Sequence, residues 1–417
     1  MKVLWFTNTP CLAEDYFNNK TMNGGFLKSL EKVMQEEVDL SIAFYYNKEL
    51  SSFKYGKTNY FPIYKESNGL SAKIKTRIFG KIEPEEDTNR FIQIINEVKP
   101  DVIHVHGTEG PFGLFQQSST VPTVVSIQGN ISVYELKYFS GIPLSDAVKY
   151  TNIKERLFFT GVAQNFTRFK KQAIREKKIF KLSKNIIGRT YWDRRVAKVL
   201  APNAHYFHND EVLKEVFYQG SWQNEITDTL QLFTTTGPNI YKGIETLIHC
   251  AHLLDLSNIR YKWKVAGIKP DDAILRVATR SLHVPLSPNI EFLGKADDQK
   301  LKVSILACHI YLAISHIENS PNSLCEALIL GAPCIATHAG GTLNFIKDRI
   351  TGILIQDGDP FSMAGAIMEI KENYNLAKDM GVNARKEALA RHDKNKIVSD
   401  LLNIYYSISG NKISNLN

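Results

Sequence analysis

The chain has 417 residues, enough for two domains of about 150–200 residues with ample core. Its 43% hydrophobic and 23% charged residues are those of a globular protein and exclude a low-complexity chain. The formal charge of +8 sits beside five scattered cysteines with no C-x-x-C pair, which excludes a disulfide framework and points to a reducing cytoplasm.

Short apolar runs alternate with helical patterns from end to end, the signature of parallel α/β layers. In the first half, strands are predicted at 3–6, 40–45, 102–105, 121–127, 186–188 and 205–208. A helix at 25–35 carries Phe26, Leu30, Val33 and Met34 on one stripe. The polar stretch 209–228 reads as the linker. Strands follow at 230–235, 261–266, 290–293, 309–314, 334–337 and 352–355, with helices at 244–254 and 361–372. The final helix, 394–408, is expected to cross back to the first domain. The start of the chain turns polar at Thr7, too soon for a signal peptide. No apolar run approaches the ~20 residues needed to span a bilayer.

Between 154 and 184 stand ten Lys or Arg against two Glu, with aromatic and aliphatic residues interleaved. Such a stretch is either a solvated helical face over core residues or a surface for anionic lipid. No nucleic-acid module accompanies it, so a nucleic-acid partner is not expected.

The most informative residues are Glu318 and Glu326, eight apart in His316-Ile-Glu-Asn-Ser-Pro-Asn-Ser-Leu-Cys-Glu. A strand precedes them and a helix opens at Pro321. The N–H groups of Asn322, Ser323 and Leu324 would then favour a phosphate at the positive helix end. Carboxylates beside such a site can each accept two hydrogen bonds from a sugar diol. One helix and one strand later comes Gly340-Gly341-Thr342, where backbone can press on a ligand and N–H groups can form an anion nest.

The glutamate-x7-glutamate pair with this diglycine resembles the retaining glycosyltransferases of family 4, most specifically over 307–359. The resemblance implies the α/β GT-B fold, two Rossmann-like parallel-sheet domains facing across a cleft. It divides the chain into an acceptor-side domain, 1–210, joined by a C-terminal helix at about 385–417, and a donor-binding domain, 225–384. It implies a nucleoside-diphosphate sugar as donor, a saccharide or lipid-linked saccharide as acceptor, no metal and no cofactor. Glu318 would hold the transferred sugar and Glu326 the ribose. Asn322, Ser323, Leu324, Gly340, Gly341, Thr342 and Lys242 would hold the diphosphate, and Lys295 would contact the base. Gly24 and Gly25, at a helix start, match the family's N-terminal diglycine. Gly237 stands where the family carries a diphosphate-clamping arginine, a departure that leaves Arg189 or Arg194 as substitutes.

Gln128 replaces a frequent histidine near the transferred sugar; it can donate to a hydroxyl but cannot carry a proton. His106, Glu109 and Asn130 read as acceptor-side residues, with His104 on the same strand face as His106. Two histidines at this spacing suggest a metal, but no third ligand stands near. A cytoplasmic enzyme, peripheral on the inner membrane face, fits this reading.

Overall fold

The computed structural model describes residues 1–17, 25–65 and 78–410. They form two compact units. The first comprises Met1–Glu135, Thr167–Val212 and the chain from His392 on; the second comprises Leu136–Phe166 and Leu213–Arg391. Residues 136–166, expected with the first domain, thus cluster with the second.

In the first unit the strands are β1 (Lys2–Thr7), β2 (Asp39–Tyr46), β3 (Phe53–Tyr55), β4 (Thr58–Tyr64), β5 (Val102–His106), β6 (Thr123–Ser126), β7 (Asn185–Gly188) and β8 (His205–His208). They run in the order β3-β4-β2-β1-β5-β6-β7-β8, parallel except for β3. The β3–β4 hairpin is absent from the sequence expectation: β3 has only three residues, and β4 carries Pro62, which argues against a strand. The core strands are buried on both faces, as helix-covered parallel sheets require. The closing helix Lys394–Ser409 packs Ile397, Leu401 and Tyr405 into the core under β1 and β2.

The second unit holds β9 (Leu230–Thr235), β10 (Tyr261–Ala266), β11 (Ile290–Gly294), β12 (Ile310–Ala313), β13 (Cys334–Thr337) and β14 (Ile353–Ile355). All are parallel, in the order β11-β10-β9-β12-β13-β14. The chain builds outward from β9 through β11, then restarts on the other flank at β12. That makes the β9/β12 junction the topological switch point, where open sheets of this kind bind ligands. The linker expectation at 209–228 needs correction. Trp222 donates its backbone N–H to Leu330 O and its indole N–H to Cys308 O, both within this unit. No described helix is long and apolar enough to cross a membrane.

Candidate donor and acceptor sites

The loops after β9 and β12 bring Lys242 and Glu318 together at the switch point. The Lys242 ammonium is in direct ion-pair contact with Glu318 Oε1. Thr235, Ser315, Ser323, Thr337 and Thr342 complete the small concavity around the pair. Sequence reasoning missed Thr235, Ser315 and Thr337, which are short polar residues at strand ends and carry no motif of their own.

The helix Asn322–Leu330 points its first turn here. Pro321 is its N-cap in extended conformation, with no side chain capping the turn. The N–H groups of Leu324 and Cys325 already donate to Pro321 O, at 2.9 and 3.1 Å. Two amides, Asn322 and Ser323, therefore have no acceptor within the helix, rather than the three expected.

The diglycine serves a different purpose from the expected anion nest. Gly341 N–H donates to Glu318 O at 2.8 Å, and a Cβ on Gly340, whose φ is +59°, would collide with that same carbonyl. Only glycine allows this close approach. The loop clamps the backbone of Glu318. Thr342 is buried, its hydroxyl donating to Ala339 O.

Glu326, one turn into the helix, is 7% exposed. Burial pushes its carboxyl up to about 8; Lys214 pulls it down and Asp298 pushes it up. Gly237 and Lys295 do not line the concavity; Lys295 is exposed after β11, and space is open beside Gly237.

The motif's histidine, unassigned from sequence, proves central. His316 is buried, its Nδ1 2.6 Å from Asp357 Oδ1 and its Nε2 2.6 Å from Glu245 Oε1. Burial works against its charge, yet the two carboxylates outweigh burial and raise it to about 9.

In the first unit, the candidate residues gather at the C-terminal ends of β5 and β6. His106 stacks on His104 with ring centroids 3.7 Å apart, which agrees with their shared strand face. His104 is structural, bonded to Tyr405 Oη and Ser126 Oγ. His106 Nε2 has no partner among the described residues, and burial holds the ring neutral. Asn130 is wholly buried with both side-chain polar atoms unpaired among the described residues.

Glu109 accepts from Asn8 Nδ2 at 3.2 Å; burial and the nearby Glu176 raise it to about 7, against its own backbone and two arginines. Gln128 is half-buried just past β6. Glu176, invisible to sequence reasoning because it lies 44 positions away, caps the helix Ile131–Lys137. It accepts from the N–H groups of Ile131 and Ser132 at 3.0 and 2.6 Å.

Gly25 begins the helix Gly25–Glu37 with a φ of +61°, and Gly24 lies outside the described residues. Arg189 ion-pairs with Glu211 at 3.5 Å and stacks on Phe26, whereas Arg194 is exposed over Tyr206.

Residues 225–387 match the family model described as glycosyl transferases group 1. Over 153 residues the chain is 28% identical to N-acetyl-alpha-D-glucosaminyl L-malate synthase of Bacillus anthracis, which covers 37% of this chain and 39% of that one. The chain thus spans about two fifths of that relative's length. Sucrose-phosphate synthase from Thermosynechococcus elongatus superposes with a TM-score of 0.72 at 14% identity, over 98% of this chain and 99% of that one. Anabaena HepE, solved with UDP-glucose, superposes at 0.62 with 13% identity, over 98% and 100%. The fold is that of the GT-B glycosyltransferases, and the match to the group 1 family model covers residues 225–387.

Proposed function

We propose that the chain is a retaining glycosyltransferase of family 4. It moves a sugar from a UDP- or GDP-linked donor to a saccharide hydroxyl, in the assembly of a surface polysaccharide or lipid-linked oligosaccharide. The observation that carries this reading is the Lys242–Glu318 pair at the switch point, beside two helix amides without helical acceptors.

In the absence of donor, the lysine is held by the carboxylate. A diphosphate would draw the ammonium onto itself and leave Glu318 free to face the sugar. As the bond to the sugar breaks, negative charge builds on the leaving diphosphate. Lys242 and the amides of Asn322 and Ser323 stabilise that charge, and Glu318 stabilises the positive charge on the ring. Glu326 accepts hydrogen bonds from the ribose diol. Gln128 is a hydrogen-bond donor for a sugar hydroxyl, and the leaving phosphate takes the nucleophile's proton. His106, Glu109 and Asn130 line the acceptor pocket, whose unpaired buried atoms suit a sugar hydroxyl. No metal is required.

The anionic-surface contact is assigned to the helices Leu144–Lys149 and Ile153–Phe158, not to the whole of 154–184. The helix Asn165–Leu182 buries Ala173, Ile179 and Phe180, and ties Arg175 to Glu83 and Lys178 to Glu85. In contrast, Ile153 and Leu157 are 77% and 67% exposed, with Leu144 and Val148 also open. Their acids are turned inward: Glu155 binds Arg276 at 2.5 and 2.6 Å, and Asp146 accepts from Ser281 at 2.7 Å. Lys149 and Lys154 stay exposed beside the apolar residues.

The test is calorimetric titration of UDP and GDP in EDTA, with donor hydrolysis and transfer followed by chromatography. Glu318→Ala should cut turnover by about 10²–10³-fold, the scale of losing one transition-state stabiliser. UDP should bind this variant as tightly as wild type or tighter, because Lys242 is released. Unchanged turnover would refute the role of Glu318. A folded protein that binds no nucleoside diphosphate would instead be a non-catalytic glycan-binding module.

A further inference from the structure

His316 lies between two carboxylates from separate elements: Glu245 opens the helix Ile244–Leu256, and Asp357 follows β14. Both ring nitrogens face ionisable oxygens at 2.6 Å. A neutral imidazole can donate to only one of them; the doubly protonated ring satisfies both. Its backbone N–H donates to Tyr241 O at 3.0 Å, the residue before Lys242. Two residues further on stands Glu318. One side chain and its amide thus join the loops after β9, β12 and β14, which frame the Lys242–Glu318 pair.

The clamp is closed from behind by residues 137–141. A Cβ on Gly141 would collide with Glu245 Oε1 and His316 Nε2. Lys137 Nζ lies 3.4 Å from Asp357 Oδ2, and a Cβ on Gly358 would lie 3.7 Å from Cε1 of the ring. The groups facing His316 are therefore Glu245 and Asp357, with Lys137 beyond Asp357. Two carboxylates, one ring and a flanking lysine balance only while the ring is charged. Loss of its proton leaves two acids facing each other across a buried base, a costly arrangement.

We propose that His316 is a positioning residue for sugar transfer: as an imidazolium bridging Glu245 and Asp357, it fixes the loops that carry Glu318 and Lys242. This rests on the transferase reading. In the full-length protein, heteronuclear NMR of the His316 side chain should show both ring N–H protons at pH 7.5. His316→Gln can bridge only by a single donor group, so turnover should fall tenfold or more, with UDP affinity changed less than threefold. Wild-type kcat should fall as the ring loses its proton, near pH 9, and that fall should vanish or move in the variant.

A single ring N–H at pH 7.5 would overturn the proposal, whatever the fate of the variant. So would a His316→Gln enzyme that keeps wild-type kcat and pH profile. If the wild type turned over no nucleotide sugar, the transferase reading would fail, while the NMR result would still decide whether the clamp is charged.

Discussion

Glu326 offers a test in which stability and function move in opposite directions. Its carboxyl is buried and raised from the ordinary 4.5 to about 8, so the native state holds a proton there that the unfolded chain releases. Between those values the folded protein binds more protons than the unfolded one, and stability falls as pH rises. Each factor of ten in proton affinity is worth about 1.4 kcal/mol, which sets an upper bound of about 5 kcal/mol on the cost of ionising the group in place.

Glu326→Gln keeps the shape and removes that cost. The variant should melt at the same temperature as wild type near pH 4.5 and progressively higher towards pH 8.5. For a cooperative unit of about 200 residues, each 1 kcal/mol gained appears as about 2–4 °C. Nucleoside diphosphate affinity should fall in the same variant above about pH 8, where wild-type Glu326 is a carboxylate and accepts from a ribose diol more strongly than the amide does. Melting curves at five pH values, with and without UDP, read both effects. A difference between variant and wild type that stays constant with pH would refute the argument from burial. Undiminished UDP affinity would refute the ribose assignment.

Two further outcomes are expected. Gly340→Ala places a Cβ against Glu318 O in left-handed backbone. It should cost about 1–2 kcal/mol from the backbone alone and reduce kcat by displacing Glu318; a variant with wild-type melting and kcat would contradict the clamp. Leu157→Glu together with Lys154→Glu should abolish sedimentation with phosphatidylserine vesicles at 0.1 M salt while leaving donor hydrolysis intact. Equal sedimentation of variant and wild type would remove the membrane assignment.

The parallel strands were legible because buried strands are short runs of Val, Ile and aromatic residues between turns. Strands 205–208, 230–235, 261–266 and 334–337 match their observed bounds residue for residue. The β3–β4 hairpin was not, since β3 is only three residues long and Pro62 within β4 argues against a strand. Within the site, Glu318, Lys242 and Ser323 were visible through motif spacing. Their mutual contact was not, because it depends on which strands are neighbours, and β9 and β12 are separated by two intervening strands in sequence. Long-range partners escaped for the same reason: nothing local ties Glu245 or Asp357 to His316, or Glu176 to the helix at 131. The diglycine was found for a different reason than the one it serves; composition shows where backbone can approach, not what approaches.

The excursion of residues 136–166 into the second unit has a practical consequence for anyone who would exchange parts between related proteins. A graft cut at the limits of the family match, 225–387, would leave behind Gly141 and Lys137, the backing of the His316 clamp, and the helices Leu144–Lys149 and Ile153–Phe158. Neither unit is a continuous piece of chain. A second unit that keeps the backing of its clamp must be transplanted as two separate segments, with the junctions at 135/136 and 166/167 carried along.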